Sequence, residues 1–316
     1  MTSPSIKIPS FAKINRSLKI LGKRPDGFHE LVTVFQTVSI ADELTFVLRD
    51  DLDLAISCDN PDVPIDHSNL VWRAAARLRE VSGVNLGASI NLVKRIPAKA
   101  GLGGGSSNAA TTLLALNELW STNLSFSALS TIAATLGADV PFFLSGGTCL
   151  GEGIGNKISP LPDGPVEYLI VITPPVEVST AAAYNSLNAP SLTTKGSTSI
   201  LARSFGASIY AKPGVWPMEN DFEAVIFEIE PEIKHVKLAL LEAGARGALL
   251  AGSGSSVFGI FSDEEARAQA AADLKSETGW RLFSCNTLPR DDYFRKLQSA
   301  GLPLLRSLNS QPDTGA

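Results

Sequence analysis

The chain has 316 residues, of which 44% are hydrophobic and 19% charged, and its formal net charge is −5 at pH 7. That length suits two domains of about 100–200 residues each, and an acidic chain lacks the basic face that a general nucleic-acid or membrane-surface role requires. No stretch approaches the roughly 18 uninterrupted apolar residues of a membrane helix, and Met1-Thr2-Ser3-Pro4-Ser5 opens neither a secretory nor a transit peptide, so a cytoplasmic protein is expected.

Ile6 and Ile8, then Leu18 and Ile20, read as strands. Pro25-Asp26-Gly27 is a turn signal: proline presets one backbone angle, aspartate bonds its own backbone, and glycine tolerates positive φ. Val32, Val34 and Val38, then Leu44, Phe46 and Leu48, suggest further strands. Asn69 to Val81 has helical spacing, with Leu70, Ala74, Leu78 and Val81 on one face. Ile90 and Leu92 predict a strand, Ala109 to Trp120 a helix, and Ser127 to Leu136 another. Gly146 to Gly155 reads as a turning segment, and Pro160 to Pro165 as a domain boundary. Beyond it, Tyr168 to Ile172 reads as a strand and Glu230 to Leu241 and Glu264 to Leu274 as helices. Leu249 to Phe261 holds a glycine-serine element between two apolar runs, with a tight turn as its plain alternative. The stretch Leu187–Met218 is rich in Ser, Thr, Pro and Gly and predicts little, and disorder is expected from about Asn309. The expected division is 1–162, 163–308 and a tail 309–316.

The run Gly101-Leu102-Gly103-Gly104-Gly105-Ser106-Ser107 lies between a predicted strand and a predicted helix. That order suits phosphate binding, because backbone N–H groups converge on an anion only where no Cβ intrudes. Ser106, Ser107 or Asn108 is expected to cap the helix. The run is not a Walker A loop, since no lysine follows Gly105, nor a Rossmann fingerprint, which needs glycine at Ser106 or Asn108. Taken alone it is equally a flexible loop. Cys58, Cys149 and Cys285 are far apart and form no CxxC, so a disulfide framework and a cysteine zinc site are both disfavoured. No HExxH-type spacing suggests a fixed metal, and His67 and His235 sit in no motif.

Pro97-Ala98-Lys99-Ala100 followed by the glycine run and Asn108-Ala109-Ala110 resembles the central motif of the GHMP kinases, a family that includes galactokinase, homoserine kinase and mevalonate kinase. Its triple-glycine form is similar to the branch acting on a cytidine diphosphate derivative of methylerythritol. Ser10-Phe11-Ala12-Lys13-Ile14-Asn15, Arg24 to Glu30, Leu136 to Phe143 and Ala251 to Phe258 match the same family in the same order. The resemblance implies a two-domain α+β fold with the active site in the interdomain cleft. It implies transfer of the ATP γ-phosphoryl group, with Mg²⁺, to the 2-hydroxyl of the methylerythritol unit, in non-mevalonate isoprenoid precursor biosynthesis. The partner is then a small molecule, with neither nucleic acid nor membrane, and the chain is a monomer or homodimer.

Residue by residue, the resemblance makes Asp139 the group beside the acceptor alcohol and Lys13 the cation beside both reactants. From their neighbours alone, Asp139 is equally a helix cap after Gly137 and Lys13 a solvated strand residue. ATP binding is implied for Pro97, Ala98, Lys99, Ala100, Gly101, Leu102, Gly103, Gly104, Gly105, Ser106 and Ser107. Phe28 and His29 are expected to meet the cytosine, with Tyr184 on its opposite face. Asn15, and Thr180 more weakly, are expected near the diphosphate or the tetrol. Ser106 or Ser107 is the expected help for the metal, with no dedicated carboxylate ligand. Two alternatives stand beside this reading: a family kinase for homoserine or mevalonate, and a nucleotide-binding regulator without turnover.

Overall fold

The computed structural model describes residues 3–187, 189, 217–275 and 279–302. Among them, the strands form two sheets. β1 (Ser5–Lys23) and β2 (His29–Arg49) make a long antiparallel hairpin across the Pro25-Asp26-Gly27 turn. β3 (Leu54–Cys58) and β4 (Gly87–Val93) extend the sheet on one side of β2, and β5 (Thr148–Gly153) and β6 (Lys157–Pro160) are added along β2's other end. The short β8 (Glu219–Asn220) pairs parallel with β1. The second sheet is antiparallel in the order β11 (Arg281–Asn286), β7 (Tyr168–Thr173), β10 (Val257–Phe261) and β9 (Gly247–Leu250). This is the α+β architecture expected.

Four helices cover the first sheet: α1 (Leu70–Ser82), α2 (Gly104–Leu119), α3 (Phe126–Leu136) and α4 (Val140–Ser145). The Asn69 side chain starts α1 by accepting the Val71 N–H at 2.8 Å. Its buried face is Val71, Ala74, Ala75 and Leu78, so the expected stripe is rotated: Leu70 is only partly buried and Val81 is 46% exposed. The Gly146–Gly155 stretch is no mere turn, because Thr148–Gly153 pairs with β2. Helices Phe222–Ile229, Pro231–Glu242 and Glu264–Leu274, with α5 (Thr180–Ser186), pack on the second sheet. The helix Arg290–Ser299, which the sequence reading did not pick out, crosses back and buries Tyr293, Phe294 and Leu297 in the first core. The tail from 309 and nearly all of the 187–218 stretch lie outside the described residues.

A third apolar layer joins the sheets. Ala12, Ile14, Val38 and Ile40 from the hairpin meet Leu169, Val171, Leu249, Phe258 and Ile260 from the second sheet. β7 has both faces buried, since Leu169 and Val171 face this seam while Ile170 and Ile172 face the second core. That explains its unbroken apolar run. Ala100, just before the glycine run, and Leu102 within it belong to the seam, so the loop is clipped between the two halves. The connection after β6 is pinned as well: Asp163 accepts the N–H groups of Thr148 and Arg290, each at 2.8 Å.

Candidate active site

A register shift in β1 between Phe11 and Ala12 re-aims the strand. Beyond it, Ala12 and Ile14 point into the seam, and the alternate residues Lys13 and Asn15 point into a cavity of about 520 Å³. Leu31, Thr33 and Phe35, at every second position of β2, line the same cavity. All seven side chains expected at the catalytic and substrate sites, Lys13, Asn15, Phe28, His29, Asp139, Thr180 and Tyr184, are brought together here, with Gly101 and Gly103.

Lys13 is 4% exposed and therefore not the solvated strand residue its neighbours allowed. Its Nζ donates to Asn15 Oδ1 at 2.7 Å and lies 3.4 Å from Asp139 Oδ2. Asn15 in turn donates to Thr33 Oγ1 at 2.8 Å, and Thr33 donates to the Ser17 carbonyl at 2.6 Å. This relay fixes the Asn15 amide so that its oxygen faces the ammonium. Asp139 stands just before α4, a helix buried at every residue. Its side chain makes no capping bond, so the capping alternative does not hold and the carboxylate is left to Lys13 and the cavity.

Helix α2 starts at Gly104 with Gly103 as its cap residue and no side-chain cap bond. The expected capping by Ser106, Ser107 or Asn108 is therefore corrected: all three lie inside the helix. Ser107 Oγ is 2.7 Å from Ser10 Oγ, and Asn108 Nδ2 donates to Ser10 Oγ at 2.9 Å. The fully buried Ser107 hydroxyl is thus unavailable to a metal, whereas Ser106 is only half-buried. The open cap leaves the N–H groups of the first turn without intrahelical acceptors, which is the arrangement an anion needs.

The two glycine elements touch. Gly101 has φ of +78°, and a Cβ there would collide with the Ala251 carbonyl. A Cβ on Gly252 would lie 3.2 Å from both the Gly101 carbonyl oxygen and Lys13 Nζ. Both positions need glycine for close approach as well as backbone angle. Lys13 N–H donates to the Leu102 carbonyl at 3.0 Å and Ser256 N–H to the Ala100 carbonyl at 3.2 Å, tying the loop to both halves. Of the other expected nucleotide residues, Pro97, Ala100, Leu102 and Gly104 are buried, while Ala98, Lys99 and Gly105 are exposed. Lys99 pairs with Glu177 at 3.0 Å beside a second cleft of about 470 Å³ that shares Gly101 and Thr180 with the first.

At the cavity's other end, His29 and Tyr184 stack on each other, with centroids 5.0 Å apart and planes 28° apart. Phe28 stands beside them, 59% exposed. Burial, and after it the Lys23 charge, holds the His29 imidazole below its ordinary 6.5, so it is neutral at pH 7. Burial, and then the Asp139 carboxylate, pushes the Tyr184 phenol up to about 12. Thr180 Oγ1 sits 3.1 Å from Ser253 Oγ, joining α5 to the second glycine element. The sequence reading missed Lys23, Phe35, Ile154, Asn185 and Phe222, which also line the cavity. Only Phe35 carried a signal, its period of two with Leu31 and Thr33. The others come from the last residue of β1, from a turn and from two helices, whose approach no local pattern encodes.

Two family profiles match the chain: the GHMP kinases N terminal domain over residues 69–147 and the GHMP kinases C terminal over residues 204–279. A 4-diphosphocytidyl-2-C-methyl-D-erythritol kinase of Geobacter sp. (strain M21) is 41% identical over 279 residues, covering 88% of this chain and 97% of that protein. A crystal structure of 4-(cytidine 5'-diphospho)-2C-methyl-D-erythritol kinase superposes with a TM-score of 0.70 at 34% identity, covering 89% of this chain and 99% of that one. A homoserine kinase from Cytophaga hutchinsonii has a TM-score of 0.66 at 22% identity, covering 90% and 95%, and so shares the fold. The chain belongs to the GHMP kinases, and it is a small-molecule kinase that uses ATP.

Proposed function

We propose that the chain transfers the γ-phosphoryl group of ATP to the 2-hydroxyl of 4-diphosphocytidyl-2-C-methyl-D-erythritol, releasing ADP, as a step of non-mevalonate isoprenoid precursor synthesis. The observation that carries this reading is the Lys13–Asp139 pair at 3.4 Å in a cavity whose far end presents Phe28, His29 and Tyr184. The names of relatives about 40% identical along most of the chain support the same substrate.

Phosphoryl transfer demands positioning and charge stabilisation more than covalent chemistry. In this reading the acceptor hydroxyl lies against Asp139. Its oxygen bonds to the γ-phosphorus as the bond to the β–γ bridging oxygen breaks, and its proton passes to Asp139. Lys13 pairs with the Asp139 carboxylate and offsets charge on the transferred group, and Asn15 holds Lys13 in place. The N–H groups of Gly104, Gly105 and Ser106 meet the nucleotide phosphates. His29, neutral at pH 7, both donates and accepts one hydrogen bond and so suits the edge of a cytosine. Phe28 offers its open ring face, and the pyrimidine displaces the His29–Tyr184 stack to reach Tyr184.

In this reading the cation is Mg²⁺, which would be held mainly by the nucleotide phosphates and water. Ser106, half-buried in the first turn of α2, would be the side chain to help hold the ion, and the ion would supply neutralising charge to the phosphates. We also propose the division at 162/163 as the functional one, with the helix Arg290–Ser299 serving the first core.

The test is ATP consumption with Mg²⁺ against 4-diphosphocytidyl-2-C-methyl-D-erythritol, homoserine and mevalonate. Turnover with the first alone supports the reading. Turnover with another acceptor overturns the cytosine site while keeping the Lys13–Asp139 chemistry, and ATP binding without turnover favours a regulator.

A further inference from the structure

Beneath the glycine run lies a buried charge that the chemistry above does not use. The Asp42 carboxylate on β2 has no exposed side-chain surface, and four donors converge on it. Lys94 Nζ forms a close ion pair with it. The Arg95 and Ile96 N–H groups donate to its Oδ1 at 2.7 and 2.8 Å. Asn108 Nδ2 donates to its Oδ2 at 2.9 Å. The same Asn108 amide reaches Ser10 Oγ at 2.9 Å, and Ser10 reaches Ser107 Oγ at 2.7 Å.

These partners bracket the loop. Arg95 and Ile96 are the last residues before it, and Ser107 and Asn108 lie in the opening turns of α2 that follow it. Lys94 Nζ and Ile96 Cγ2 each lie 3.0 Å from where a Cβ on Gly104 would stand, so the ion pair packs directly under the first helical residue. One carboxylate therefore fixes both ends of the loop and bolts them to β2 and, through Ser10, to β1. A buried carboxylate with four donors holds them tightly because each unpaired donor would carry its full desolvation cost.

We infer that Asp42 is a positioning residue for nucleotide binding: it sets the loop geometry through Arg95, Ile96 and Asn108 while touching neither reactant. The inference rests on the reading that residues 97–107 hold the nucleotide. Misplacement of a site by about 1 Å can cost on the order of 10²-fold. Asp42→Asn keeps the shape but removes the charge and turns an amide NH₂ toward existing donors.

The experiment is calorimetric titration of the full-length protein with a non-hydrolysable ATP analogue and, separately, with cytidine diphosphate, alongside thermal melts. Gly105→Glu serves as the loop control: its Cβ would meet only Leu70 Cδ1 at 3.7 Å, so the fold has room for the first side-chain atom. If Gly105→Glu keeps wild-type nucleotide affinity, the loop reading fails. If Gly105→Glu loses it, the inference is judged by Asp42→Asn. Expected is nucleotide affinity weakened by about tenfold or more, with cytidine diphosphate affinity unchanged. Equal losses for both ligands, or no loss, overturn the inference and leave Asp42 a plain structural ion pair. Should Asp42→Asn not fold, Ser10→Ala decides. A selective nucleotide loss there supports the inference, and unchanged nucleotide affinity overturns it.

Discussion

The two ends of the cavity are held by different means. At the Lys13 end, Lys13 and Asn15 are 4% and 2% exposed, an ion pair joins Asp139 to Lys13, and a chain of hydrogen bonds runs from Lys13 through Asn15 to Thr33 and the Ser17 carbonyl. At the Phe28 end, the ring is 59% exposed and the turn behind it is held by Arg24, which bonds Asp26 and Glu30 near the surface. Exposed pairs of that kind contribute little to rigidity. The comparison teaches a division of labour. Lys13 and Asn15 are preorganised on a buried strand and Asp139 is set by the buried helix that follows it, while the groups proposed to recognise the acceptor stand at the Pro-Asp-Gly turn, at the first residue of β2 and on α5, where Phe28 above all can adjust to it.

If that division is right, substitutions at the two ends separate by kinetic parameter. Asp139→Asn should lower kcat by about 10²–10⁴-fold while nucleotide affinity stays nearly intact. Unchanged turnover in steady-state kinetics would remove Asp139 from the chemistry. Tyr184→Ala should act on the acceptor instead. Losing one stacking partner costs about 1–3 kcal/mol, read as a rise in acceptor KM with the nucleotide KM unmoved, and a fall in kcat alone would merge the two ends. His29→Ala should weaken the acceptor in the same selective manner but less, and weakened ATP binding would place His29 elsewhere.

The smallest expected effect is on pH dependence. The folded-state pKa of His29 lies below 6.5, so the unfolded chain takes up its proton first as pH falls. The stability this group contributes is present above 6.5 and is lost as pH falls from 6.5 through the depressed folded value. Urea midpoints between pH 7.5 and 5.5 should fall less steeply for His29→Gln than for wild type. Parallel slopes would show that His29 does not titrate in this window.

Several features were legible in the residues themselves. The Pro-Asp-Gly turn, the α3 and Glu264–Leu274 helices, and the strand–glycine run–helix order around 90–120 all follow from local rules that tertiary contacts left standing. On α1 the expected Ala74 and Leu78 are buried, but Val71 and Ala75 complete the face in place of Leu70 and Val81, a choice between similarly apolar positions that only the packing of α1 on α2 decides. Capping of α2 was misjudged because Ser107 and Asn108 find better partners in Ser10 and Asp42, residues far away in the chain.

By itself, the sequence determined the class of chemistry, because five ordered motifs resemble those of the GHMP kinases, and that resemblance is what points to the glycine run, Lys13 and Asp139 as the proposed phosphate loop, cation and carboxylate. Only the tertiary structure decided that Lys13 and Asp139 meet at 3.4 Å, that Gly101 and Gly252 close on each other, and that Asp42 lies under the loop. The physical reason is that such contacts join segments tens to more than a hundred residues apart. Their distances are set by how three apolar layers pack, and no local pattern of residues records that packing.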